Sequence, residues 1–219
     1  IDFSYRFEAS RELGPHTRVC VTTETSKFEH LPVPLRGEHQ ALNCGLALAL
    51  VDRLKSYGFD VKEASVIEGL AATDLPGRME LVNERPRVLV DGAHNAHSIK
   101  ALIRALGAHI NYDSLVVIFG CAQDKDVTGM LKELALGADK VIFTKAGKNP
   151  RAMESDDLMH TFNDVSGRMS QVADSVEDAL RLAGRAVSRE DLIVVTGSFY
   201  LCGETQKFFR DAEANRKRA

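Results

Sequence analysis

From Arg87 onward, apolar runs of strand length alternate with segments of helical period, and this alternation constrains the fold more than any other feature of the chain. "RVLVDG" gives way to "AHSIKALIRALGAHI", "SLVVIFG" to "VTGMLKELALG", and "KVIFT" to a helix near Ser155 to Phe162. A short strand near "RMSQVA", the helix "SVEDALRLAGRAVS", the strand "DLIVVTG" and a helix from Phe199 to about Ala212 complete the series. Strands with near-continuous apolar sequence, each followed by a helix, require a mostly parallel sheet with helices on both faces. Residues 87–219 are therefore expected to form a Rossmann-like α/β domain of about 130 residues, a usual size for one domain.

The preceding part reads differently. Residues 1–35 hold short strand-like runs, "DFSYRF", "RVCVTTE" and "HLPVPL", that look like the end of a sheet. "EHQALNCGLALALVDRLKSY" then places Leu42, Leu46, Ala49, Leu50 and Leu54 at the spacing of a helix with one buried face, and Gly58 stops it. A shorter helix is expected over roughly Lys62 to Leu70, before the turn residues Thr73-Asp74-Leu75-Pro76-Gly77. The expected organisation is a partial α/β domain over 1–74, a hinge over 75–86 and the parallel-sheet domain over 87–219. Because the chain opens on Ile1, the first part is expected to be a fragment of a longer domain.

Composition narrows the functional classes. With 28 basic and 31 acidic residues, the net charge of -3 leaves no electrostatic footprint for nucleic acid or an anionic membrane. The terminal "NRKRA" reads as a frayed basic tail. No apolar run approaches the ~18 residues of a membrane span, and no export signal is recognisable, so the expected location is cytoplasmic. Cys20, Cys44, Cys121 and Cys202 are far apart and make no CxxC pair, which reads as buried free thiols.

In parallel α/β sheets, ligands bind where the carboxyl ends of strands run into helix N-termini. Those places here are "DGAHN", "GCAQDKD", "TKAGKNPR" and "TGSFY". Asp91 at a strand mouth is placed to accept from a ribose diol, and His94 and Asn95 to donate to phosphate or a base. Helix capping by Asn95 and a turn role for Asp91 explain the same residues equally well. Arg78, fixed by Pro76-Gly77, suits bidentate phosphate contact or is a surface arginine in a turn. Asn43 shares a helix face with His39, and an amide on that apolar helix would need a partner. Lys125 stands in a polar turn where Asp126 is suited to cap the next helix. Ser198 opens a helix after a strand and offers its hydroxyl and N–H to an anion, but GxSxG is not satisfied. GxGxxG, HExxH and GxxxxGK[ST] are all missing from the chain.

Five segments together, "LRGEHQALN", "LPGRME", "VLVDGAHN", "FGCAQDKD" and "VVTGSFYLCGE", occur in the order they take in the C-terminal part of the Mur ligase superfamily. The chain resembles the folylpolyglutamate synthase and dihydrofolate synthase branch over nearly its whole length. The resemblance implies a Mur ligase C-terminal domain preceded by a fragment of the central ATPase domain. It also implies an ATP-dependent ligase that joins L-glutamate to a folate or dihydropteroate carboxylate through an acyl phosphate. By the same resemblance Asn43, Arg78, Asp91 and His94 would contact ATP. Lys125 and Ser198 would serve the side of the glutamate or acyl substrate, and Mg2+ ligands are expected in the part of the family that precedes Ile1.

The sequence also departs from that pattern. Leu75 replaces the family's usual Trp before Pro-Gly-Arg, and Ala96 follows DGAHN where Pro is frequent. A peptidoglycan-type Mur ligase, which more often has Asp-Tyr-Ala-His at the strand mouth, is the nearest alternative. A non-catalytic nucleotide- or anion-binding module is another, and with the phosphate loop missing the chain alone is expected to be inactive.

Overall fold

The computed structural model describes residues 2–8 and 17–217. They divide into two compact units, one running to Pro76 with Arg104–Ile110 added, the other comprising Gly77–Ile103 and the chain from Asn111 onward.

In the first unit β1 (Ser4–Glu8), β2 (Thr17–Thr22) and β3 (Lys27–Val33) form an antiparallel sheet, followed by α1 (Glu38–Lys55) and α2 (Glu63–Ala71). Val19, Val21, Leu31 and Val33 pack with Ala41, Cys44 and Leu48 of α1. The helix thus buries a face other than the one its leucines mark. Leu42, Leu46, Leu50 and Leu54 are 43–48% exposed, whereas Ala41, Cys44, Gly45, Leu48, Ala49 and Asp52 are buried. Small residues at 41, 44, 45 and 49 let the helix axis approach the sheet closely, and that packing overrides the leucine periodicity. Asn43 is accordingly exposed, its amide donating to Gln40 Oε1 at 3.1 Å, and no buried amide needs a partner there.

Among the described residues of this unit, Asp52 is the buried charged side chain. Its carboxylate accepts from Thr23 Oγ1 (2.7 Å), Thr25 Oγ1 (2.5 Å), Thr25 N (3.1 Å) and Ser26 Oγ (2.8 Å), and Lys55 Nζ lies 3.0 Å away. Burial alone would raise its pKa, but these hydrogen bonds and the Lys55 ammonium outweigh it and hold the carboxyl well below the usual range. A depressed folded-state pKa contributes stability that is present above the unfolded value and lost as pH falls through the folded one. In acid titrations of unfolding, Asp52→Asn is expected to cost about 2 kcal/mol at neutral pH. The gap to the parent should then close as pH falls below about 4. A gap independent of pH would show that the carboxylate charge is not what the hairpin uses.

The second unit holds a six-stranded sheet in the order β4 (Glu80–Glu84), β5 (Arg87–Asp91), β9 (Leu192–Thr196), β6 (Leu115–Phe119), β7 (Lys140–Phe143), β8 (Gln171–Val172). All neighbours pair in parallel except β4, which forms an antiparallel hairpin with β5. The expected mostly parallel sheet is present. β4 lies inside 75–86, a stretch that reads as turn and hinge, because "ELVNE" is a short edge strand with polar positions. The connections are α3 (Ala96–His109), α4 (Val127–Ala135), α5 (Ser155–Ser166), α6 (Val176–Ala186) and α7 (Phe199–Arg216). α7 continues about a turn beyond Ala212, so the start of the basic tail is helical; Arg218 and Ala219, like Ile1, lie outside the described residues. Val88, Val90, Val116, Ile118, Ile142, Ile193 and Val195 pack one face of the sheet against α6 and α7, which fixes the strand ends that carry the site.

Candidate active site at the mouths of β5 and β9

β9 lies between β5 and β6, and Asp91 pairs with Thr196 at the carboxyl ends of β5 and β9. The loops that leave these two strands therefore start side by side. Gly197 N–H donates to Ala93 O at 2.9 Å and joins them.

A third segment is fastened onto this pair. Gly92 N–H donates to Gly77 O at 2.8 Å, and Met79 N–H donates to Asp91 Oδ2 at 3.0 Å. Asp91 Oδ1 accepts from Ala93 N–H at 2.9 Å, and Glu80 Oε2 accepts from Gly77 N–H and Gln206 Nε2, both at 2.7 Å. Asp91 is only 4% exposed. Burial raises its pKa above the usual carboxylate value, while the two backbone N–H groups and the neighbouring Arg78 guanidinium act in the opposite direction.

The Pro-Gly-Arg turn held in this way puts the Arg78 guanidinium 4.8 Å from the centre of the Phe199 ring. The His94 ring also neighbours Phe199, with centroids 6.1 Å apart and planes tilted by 50°. Gly92 makes room for Phe199: a Cβ there would stand 2.4 Å from ring carbons. His94 Nδ1 is 2.8 Å from Gly92 O, so in the neutral ring the proton sits on Nδ1 and the Nε2 lone pair is left free. Arg78 takes no other hydrogen bond or ion pair among the described residues. Its N–H edges are thus available to an anion.

Four of the six residues singled out from the sequence, Arg78, Asp91, His94 and Ser198, meet at these strand mouths. Ser198 caps α7, accepting from Tyr200 N–H at 3.1 Å, and its own hydroxyl proton remains to donate. Asn95 caps α3, its Oδ1 accepting from Ser98 N–H at 2.8 Å. Asp126 caps α4 by accepting from Gly129 N–H. Lys125 is half-buried in the loop after β6, the strand next to β9. Asn43 stands on α1 of the other unit. Phe199 reads in the sequence only as a helix start, although an aromatic residue directly after Gly-Ser at a strand mouth is a signal that could mark it.

The thiols of Cys121 and Cys202 near the site are buried and disfavour the nucleophilic thiolate form. Burial holds the Cys121 and Cys202 thiols up to about 12. A cleft of about 500 Å³ lined by Lys148, Ser175, Glu177, Tyr200, Glu204 and Lys207 opens elsewhere on this unit and includes none of the four converging residues. Among the described residues no helix is long and apolar enough to cross a membrane.

Known proteins share this fold. The model of the Mur ligase glutamate ligase domain matches residues 77–199. The dihydrofolate synthase/folylpolyglutamate synthase of Mycobacterium tuberculosis is 32% identical over 199 residues, covering 83% of this chain and 40% of the relative. The folylpolyglutamate synthase structure from the same organism, complexed with ADP and AMPPCP, superposes with a TM-score of 0.86 at 29% identity over 94% of this chain and 48% of that one. Escherichia coli FolC in complex with DHPP and ADP superposes with a TM-score of 0.78 at 26% identity, over 99% and 47%. The chain thus spans less than half the length of these relatives. Over the unit that carries Arg78, Asp91, His94 and Ser198, the chain belongs to the Mur ligase family and is its glutamate ligase domain.

Proposed function

We propose that this chain is the glutamate-ligase portion of an ATP-dependent ligase of the folate branch, which joins L-glutamate to the carboxylate of a folate or dihydropteroate through an acyl phosphate. The observation that carries this reading is the fastening of the Pro76–Glu80 turn to the Asp91–Ala93 mouth, which holds Arg78 over Phe199 with its donor edges uncommitted. The relatives' ADP, AMPPCP and DHPP complexes support it.

The residues present fit a nucleotide. Arg78 would take the phosphates, since a planar guanidinium already oriented by an aromatic face loses less freedom on forming paired hydrogen bonds. Asp91 spends one lone pair of each oxygen on a backbone N–H and keeps the others for ribose hydroxyls. His94, with Nε2 free, would accept at the nucleotide's edge. Asn43 is assigned to the nucleotide by resemblance alone. Lys125 and the Ser198 hydroxyl would orient the glutamate carboxylates and the acyl group, so that the amine adds to the acyl carbon from one side of the carbonyl plane and the tetrahedral species formed then expels phosphate.

Among the described residues no cluster of three carboxylate ligands stands ready for Mg2+. The one group of three ligand atoms close enough to share a metal ion among them includes a thiol and an imidazole, whereas Mg2+ demands oxygen. Its ligands are expected in the part of the relatives that this chain does not span, and no step is routed through it.

The test is ADP release by the ligase that contains this chain. Release should require L-glutamate together with a folate-type carboxylate. Release supported by a peptidoglycan precursor and not by a folate would transfer the chain to the peptidoglycan branch, and ADP release with no acceptor dependence would remove the ligase reading.

A further inference from the structure

The antiparallel sheet of the first unit carries a set of side chains that the ligase reading does not use. β1 pairs with β2 so that Arg6 lies opposite Cys20, and the period of two puts Arg6, Glu8 and Cys20 on the sheet face opposite the buried Val19 and Val21. Between the Val19–Leu31 and Val21–Phe28 pairs, Glu29 and His30 of β3 stand against the single Cys20 of β2, and this irregularity gives His30 a φ of 51°. His30 is thereby turned over the same face. Its N–H donates to Cys20 Sγ at 3.4 Å and its Nδ1 is 3.2 Å from Glu8 Oε2.

One thiol, one imidazole nitrogen and one carboxylate oxygen, all within 4.8 Å of one another, thus come from three different strands. A tetrahedral zinc ion with bonds of about 2.0–2.3 Å sets its ligands roughly 3.5 Å apart. The His30 and Glu8 side chains are 58% and 35% exposed, so each can rotate the small remaining distance. A cation already sits here: Arg6 Nη2 is 3.6 Å from Cys20 Sγ and 3.8 Å from Glu8 Oε1, on a side chain that is 71% exposed and free to leave.

We propose that Glu8, Cys20 and His30 bind a divalent transition-metal ion of the zinc class, through a carboxylate oxygen, the Cys20 thiolate and His30 Nδ1, with water completing the shell. Mixed sulfur, nitrogen and oxygen donors select such ions over Mg2+ or Ca2+. On binding, the Cys20 S–H bond gives way to an S–metal bond, its proton passes to solvent, and the Arg6 guanidinium swings out. The ion would clip the three strands together, a role separate from the chemistry at the β5 and β9 mouths.

The test is a titration of the tag-free, chelator-stripped chain with Co2+, read by its thiolate-to-metal charge-transfer absorption, followed by displacement with Zn2+. One equivalent should saturate the band, which Zn2+ then removes. Cys20→Ser should abolish it, because the other three thiols are buried. His30→Ala and Glu8→Ala should each weaken binding at least about tenfold, and Arg6→Ala should tighten it. No thiolate band with the parent chain, a band that survives Cys20→Ser, or affinity unmoved by His30→Ala would each overturn the proposal. If Cys20→Ser loses its fold by circular dichroism, the His30 and Glu8 variants decide.

Discussion

Gly120→Ala is expected to destabilise the chain by about 3 kcal/mol or more, a large effect for one added methyl group. Gly120 directly follows β6 and lies against the loop leaving β7: a Cβ there would stand 2.1 Å from Thr144 O and 2.7 Å from Leu201 Cδ1. Leu201 can turn aside, but the Thr144 carbonyl belongs to a backbone fixed by the Thr144 N–H bond to Phe119 O at 3.0 Å. The strands must separate, at a place where the sheet is buried on both faces. For a domain of this size the melting temperature should fall by roughly 6–12 °C. Gly203→Ala is the contrast. Nothing lies within 4 Å of a Cβ at that position in α7, so helix propensity should dominate and stabilise by about 0.5–1 kcal/mol. Equal effects of the two substitutions in thermal melts would show that close backbone approach does not govern the Gly120 position.

The second large effect is expected at Asp91. Asp91→Ala leaves the Met79 and Ala93 N–H groups, both buried, without their acceptor. Each unsatisfied donor costs about 1–3 kcal/mol, so the loss should approach 3 kcal/mol even with partial solvation. It should also be local. Once Met79 is freed, the Pro76–Glu80 turn keeps the Gly92 N–H bond to Gly77 O, the Glu80 contacts and the packing of Arg78 on Phe199, but loses its direct tie to Asp91. Hydrogen exchange at Met79 and Ala93 should therefore accelerate far more than at Val194 in the middle of β9. Uniform acceleration across the sheet would mean that Asp91 acts on global stability and not as the fastener of the Arg78 turn.

Much of the second unit is legible in the sequence because its strands are apolar on both faces and its helices amphipathic, a pattern with one compact solution. β4 is not, since an edge strand of five residues with polar positions carries no such signature. In α1 the periodicity is visible but points to the wrong face: a stripe of leucines outweighs alanines, a cysteine and a glycine in any hydrophobic count, whereas close packing on a sheet favours the small residues. The site is legible to the extent that its polar residues stand at strand ends. Arg78, Asp91, His94 and Ser198 can be named, but the way they meet cannot, because Phe199, Gly92 and the backbone of Met79 do the assembling and none of them looks chemical in a sequence. The Glu8–Cys20–His30 group is invisible for a related reason: its members are brought together by strand register and an irregular pairing, and their spacing along the chain matches no metal motif.

If the turn fastened to Asp91 presents Arg78 to a nucleotide, calorimetric titration of ATP with Mg2+ into this chain, beside Arg78→Ala and Asp91→Asn, will show it. Removing a charge-assisted hydrogen bond is worth about 1.5–3 kcal/mol, or roughly ten- to a hundredfold in affinity. The parent chain should bind in about the millimolar range or tighter, and each variant should bind at least about tenfold more weakly. Binding that both variants leave unchanged, or no binding by the parent chain at such concentrations, would contradict the nucleotide role of the turn.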